Sequence, residues 1–141
     1  MPLKLTRIRY QDLNARQKES YNFQKVSAVL ADFGFVTLRL SDDWQNADFI
    51  AQHIDGETFL KVQLKSRLTF DRKYLGKNLY VAFPDKGTWY LYQHDPLLKV
   101  ALRKTNVGSS TDWQRKGLYH FPRLSKPVMR ALKLDKYRID E

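Results

Sequence analysis

The stretch Ala47-Asp48-Phe49-Ile50-Ala51-Gln52-His53-Ile54-Asp55-Gly56-Glu57-Thr58-Phe59-Leu60-Lys61-Val62-Gln63-Leu64-Lys65-Ser66 decides the fold. Asp55-Gly56 is a strong turn pair, because both residues tolerate the positive φ of a tight hairpin. Ala47 to Ile54 and Thr58 to Ser66 then read as antiparallel strands. With a two-residue turn Ile54 faces Glu57, and the numbers of each facing pair sum to 111. Asp48 then faces Gln63, and Asn46 faces Lys65. Facing side chains share a sheet face, with Cβ atoms about 4.5–5.5 Å apart. Lys65, two residues beyond Gln63, projects from the same face.

Alternation puts Ala47, Phe49, Ala51, Leu60, Val62 and Leu64 on the apolar face of this hairpin. Asp48, Lys61, Gln63 and Lys65 share the polar face. Ile50 and Phe59 also lie there, which predicts a helix or other segment over part of it. A carboxylate opposite an amide oxygen offers two hard ligands to a cation such as Mg²⁺ or Mn²⁺, and the Leu64 backbone carbonyl adds a third. Such a metal site activates water and neutralises phosphoryl charge, while Lys65 orients the nucleophile or stabilises the transition state. The plain alternative is a cross-strand Asp–Lys contact on a solvated sheet, nearly neutral in energy.

Outward from the hairpin, residues 12 to 33 read as one helix with Asn14 as N-cap and Gly34 as the stop. Phe35 to Leu40 alternates as a strand, and Ser41 to Asn46 reads as a polar break. Leu79 to Phe83 and Thr88 to Gln93 form a second hairpin around Pro84-Asp85-Lys86-Gly87. His94 or Asp95 opens a helix running to about Lys104, and Asn106 to Gly117 reads as a loop. Ser125 caps a last helix that ends near Tyr137. This order predicts an α/β (α+β) fold, a mixed sheet flanked by helices, in a single domain spanning residues 1–141.

The stretch from Ala47-Asp48-Phe49-Ile50 to Val62-Gln63-Leu64-Lys65-Ser66 resembles the PD-(D/E)xK nuclease motif, in the variant with glutamine at the second acid. The preceding helix and strand are similar to that superfamily's restriction endonuclease-like core, and the resemblance covers residues 13 to about 83. It implies Asp48, Gln63 and Lys65 as the catalytic set, with Asp48, Gln63 and the Leu64 carbonyl as metal ligands. Many members carry a helix glutamate where this chain has Phe23. Glu19, one turn earlier, is the available helix contributor. The connection from Arg67 to Asn78 is short for the usual crossover helix.

Composition agrees with a nucleic-acid partner. The chain has 141 residues and a formal charge of +10. Residues 97 to 141 hold eleven Lys and Arg against four Asp and Glu, a surplus of seven in the last third. Phosphate backbones attract such a surface. Arg67, Arg72, Lys73 and Lys77, interleaved with Phe70 and Tyr74, suit phosphate contacts and base stacking. Arg115, Lys116 and Arg123 add to the same footprint. The chain has no cysteine, and its three histidines (His53, His94, His120) are scattered, which argues against thiolate and His-based metal centres. Trp89, Tyr90 and Tyr92 read as strand packing. No apolar run suits a signal peptide or a membrane span, so a cytoplasmic protein without membrane association is expected.

Three functions remain open from the sequence. The first is a Mg²⁺- or Mn²⁺-dependent endonuclease acting on DNA, with a homodimer as one way to cut both strands. The second is a catalytically inactive nucleic-acid-binding module on the same fold. The third is a basic adaptor for an acidic protein.

Overall fold

The computed structural model describes residues 1–140, the side chains at 43 and 44 apart. Its main sheet has five strands in the order β1-β2-β3-β5-β6. These are β1 (Phe35–Trp44), β2 (Ala47–His53), β3 (Phe59–Leu64), β5 (Leu79–Asp85) and β6 (Thr88–Gln93). The β3–β5 pair is parallel and the others are antiparallel. A two-stranded sheet of β4 (Thr69–Asp71) and β7 (Leu118–His120) lies beside it. The helices are α1 (Ala15–Ala31), α2 (His94–Lys104), α3 (Thr111–Lys116) and α4 (Lys126–Leu132). This is an α+β architecture, a mixed sheet flanked by helices. Among the described residues, no helix is long and apolar enough to cross a membrane.

Local chemistry explains the ends of α1. Asn14 accepts the Gln17 N–H, and the Gln17 side chain accepts the Asn14 N–H in return, a closed capping box. At the other end Gly34 adopts φ +86°, and a Cβ there would lie 2.9 Å from His53 Nε2. Only glycine meets both demands. Val26 and Leu30 bury one side of α1 on Phe49, Ala51 and Val62. Each such residue contributes about 1.5–3 kcal/mol.

The other face of the sheet carries the larger core. Val81 and Phe83 of β5 and Tyr90 and Tyr92 of β6 pack with Leu97, Leu98 and Ala101 of α2 and Leu132 of α4. His94 is buried here, where its Nε2 accepts the Asp71 N–H at 3.1 Å and its Nδ1 lies 2.8 Å from Asp95 Oδ1. Burial pushes the His94 pKa below its ordinary value, against the pull of Asp95.

Several sequence expectations need correction. Residues 41 to 44 continue β1, and a two-residue turn at Gln45-Asn46, both with positive φ, leads into β2. The expected loop from Asn106 to Gly117 contains α3, capped by Ser110, whose hydroxyl accepts the Trp113 N–H. Polar cap residues look like loop in a sequence, yet they are what starts a short helix. The last helix stops at Leu132, because Lys133 turns left-handed before one turn of 3₁₀ helix at Leu134–Tyr137.

Candidate active site and nucleic-acid interface

The facing pairs of β2 and β3 are Phe49–Val62, Ile50–Lys61, Ala51–Leu60 and Gln52–Phe59, so each sums to 111 as expected. The turn itself is wider than two residues. His53 N–H donates to the Thr58 carbonyl, and Ile54 to Glu57 form the loop. Asp55 organises that loop by accepting the Glu57 and Thr58 N–H groups and the Thr58 hydroxyl. These bonds, Thr58 N–H first, hold its carboxyl at a pKa of about 2.

Beyond Phe49 the hairpin departs from simple alternation. Ala47 packs in the core on the α2 side, whereas Phe49 and Ala51 pack under α1. Asn46 does not pair toward Lys65; its amide donates to the Lys73 carbonyl at 3.3 Å. Between these two packings stands Asp48, whose Oδ2 accepts the Leu64 N–H at 2.7 Å. That bond fixes the carboxylate at the end of β3.

Asp48 borders a cleft of about 570 Å³ that Glu19, Asp42, Arg16, Arg39 and Leu64 also line. Three helix and strand elements thus bring acids and guanidinium groups to one opening. Arg39 is anchored by a 3.1 Å hydrogen bond to Ser20 Oγ and lies 5.4 Å from the Phe23 ring. Phe23 itself packs edge-on against Phe49, so it serves the core. Lys65 borders a neighbouring cleft of about 240 Å³ with Lys18, Asn22, Ser66, and again Glu19 and Leu64. Glu19 therefore stands between Asp48 and Lys65. Gln63 is half-buried on β3 and lines neither cleft.

Arg16, Arg39 and Asp42 were not singled out from the sequence. A signal existed for Arg39, which shares strand parity with Phe35 and Thr37, the residues facing α1. Its charge in that row marks a wet opening at the end of the strand.

The donors that share the Asp48 cleft are carboxylate oxygens, of Asp48, Glu19 and Asp42, the kind a hard divalent cation prefers, whereas the Gln63 amide lies outside it. Among the described residues no three Asp, Glu or His side chains form a group able to hold a metal ion. Such donors fit Mg²⁺ or Mn²⁺ bound through one or two carboxylates, with water and a substrate phosphate completing the shell.

The expected nucleic-acid residues divide into two kinds. Arg67, Arg115, Lys116 and Arg123 are exposed, and Lys77 is half-buried. Arg72 lays its guanidinium 4.9 Å from the Trp113 ring centroid, and Lys73 Nζ lies 3.9 Å from Asp71 Oδ2. Phe70 and Tyr74, expected to interleave with these cations as stacking platforms, are fully buried in the core. Their rings contact Tyr92 and His94 instead. The polar hairpin face also lacks the expected cover over Phe59, which remains exposed, and Lys61 reaches Gln45 Oε1 at 2.7 Å.

No protein-family model and no curated protein matches the chain. Two solved structures are similar in chain path. The Holliday junction resolvase Hjc of the archaeal hyperthermophile Archaeoglobus fulgidus is 16% identical, with a TM-score of 0.43 over 54% of this chain and 72% of the other. A bacterial homing endonuclease is 14% identical, with a TM-score of 0.47 over 88% of this chain and 94% of the other.

Proposed function

We propose that the chain is a metal-dependent nuclease that hydrolyses phosphodiester bonds in DNA at the cleft holding Asp48. The observation that carries this reading is the Asp48 carboxylate, tied to the Leu64 N–H and sharing its cleft with Glu19, Arg16 and Arg39. Asp48 would hold the cation together with Glu19 from α1, which lines the same cleft, and waters would complete its shell in place of the expected Gln63 amide. A cation held there would supply positive charge and a more acidic water. Arg16 and Arg39 bind the phosphate oxygens, Arg being suited to two-point contact. Lys65, across Glu19, neutralises charge developing at the reacting group. A homodimer would present two such clefts to a duplex.

Incubation with plasmid, single-stranded and branched DNA and with RNA, in Mg²⁺, Mn²⁺ or EDTA, tests the reading. Cleavage of DNA with metal, abolished by EDTA and by Asp48→Ala, is expected. Absence of cleavage on every substrate with both metals overturns it. The second reading, a binding module without catalysis, is favoured by the absence of a three-residue metal group among the described residues. Under that outcome DNA affinity remains and falls steeply with salt.

A further inference from the structure

A third cleft, of about 470 Å³, continues along α1 beyond the one that Lys65 borders. The two share Tyr10, Asn22 and Ser66, just as the Lys65 and Asp48 clefts share Glu19 and Leu64. The chain of openings runs from Asp48, past Lys65, to the β5–β6 turn at Lys86-Gly87. Its far end carries no acid: Lys25 and Lys86 are its charged residues, and Tyr10, Tyr21 and Trp89 its aromatic ones.

We propose that this groove holds a single, unpaired stretch of nucleic acid leading into the Asp48 cleft, with a base against Tyr10 and Tyr21. The proposal rests on the reading that the Asp48 cleft handles nucleic acid, and it deepens that reading by naming the form of the substrate. Tyr10 and Tyr21 stand with centroids 5.3 Å apart and planes inclined at 57°. Asn22, itself buried, donates its amide to the Tyr10 hydroxyl at 2.9 Å and so fixes that ring. Lys18 Nζ lies 5.4 Å from the Tyr10 centroid, and Lys25 Nζ 5.2 Å from that of Tyr21.

Each ring thus comes with its own cation. Exposed cation–π contacts are weak, so each lysine is able to turn to a phosphate when a base takes the ring. Paired aromatic faces and lysines are what a single strand needs, since every base has a π-face and every linkage a charge. Bases stacked within a duplex cannot reach such rings, which is why the groove selects unpaired nucleotides.

Fluorescence anisotropy of a labelled oligothymidylate in EDTA measures this binding without chemistry. The Lys25→Glu/Lys86→Glu double variant and Tyr10→Ala should each weaken single-strand binding about tenfold. Tyr10→Phe should weaken binding less than Tyr10→Ala, because it keeps the ring and loses only the Asn22 hydrogen bond that fixes it. Duplex binding should change less than twofold in all three. Single-strand affinity within twofold of wild type in both the double variant and Tyr10→Ala overturns the proposal. So does equal competition by poly-glutamate, which would mark the groove as a general anion surface. Loss of cleavage in Asp48→Ala bears only on the nuclease reading. A wild type that never cleaves, yet whose variants lose single-strand binding, sinks that reading and leaves the groove standing.

Discussion

The guanidinium of Arg72 lies over the Trp113 indole, and its stem runs against Gly117, where a Cβ would stand 2.9 Å from Arg72 Cδ. Arg72 N–H donates to the Gly117 carbonyl at 2.7 Å. One basic residue thus ties the β4 segment to the end of α3.

Gly117 sits at φ +65°. Gly117→Ala should therefore cost about 1–2 kcal/mol for the left-handed backbone, plus the displacement of Arg72. Arg72→Ala should cost about 1 kcal/mol, the scale of a partly exposed cation–π pair. Arg115→Ala, two residues from both Trp113 and Gly117, should stay within about 0.5 kcal/mol of wild type. Urea midpoints decide this, and equal losses for Arg72→Ala and Arg115→Ala would contradict the structural role.

Asp48→Ala should remove cleavage and also cost about 1 kcal/mol, since the Leu64 N–H loses a charged acceptor at a half-buried site. Plasmid nicking and a urea melt on the same preparation report both. A variant that nicks at the wild-type rate places the chemistry elsewhere.

Glu19→Gln keeps the shape of the cleft and removes a charge between Asp48 and Lys65. It should slow cleavage by about tenfold or more, the scale of one positioned electrostatic group, and leave DNA affinity unchanged. Glu19→Gln cleaving as fast as wild type would remove α1 from the site.

His94 gives a pH dependence. With Nε2 accepting from Asp71, the proton sits on Nδ1 and faces Asp95. Its folded pKa lies below the ordinary 6.5, so the unfolded chain binds protons more readily. Its contribution to stability is full above pH 6.5 and lost as pH falls through and below that value. His94→Phe should cost about 1–3 kcal/mol at pH 8 by stranding the Asp71 N–H, and the gap to wild type should narrow toward pH 5. Melting temperatures across that range check the sign; a gap that widens on acidification refutes it.

The central hairpin was legible because alternation and one turn signal fix a register whatever the loop length. A four-residue loop leaves Phe49 facing Val62, as a two-residue turn would. The other strands of the main sheet and α1 were legible as periodic runs, but the end of β1 was not, because Ser41 and Asp42 carry polar side chains that read as a break. Less visible was what depends on contacts distant in sequence. Phe70 and Tyr74 stand among lysines and arginines, and only pairing of β4 with β7 and packing on α2 buries them. The cleft was half legible: Asp48 came from the hairpin, whereas its neighbours Arg16, Arg39 and Asp42 come from other elements.

The division of the core has a dynamic consequence. The larger cluster holds β5, β6 and α2 together, while α1, β1, β2 and β3 rest mainly on the smaller one around Val26 and Leu30. Cooperative unfolding units follow such boundaries, and the unit with less buried surface opens first. Backbone amides of α1 and β1 should exchange with deuterium well before those of β5 and β6. The wall of the candidate active site would then be the part of the molecule that breathes, able to part from the sheet and admit a strand while the remaining core stays closed.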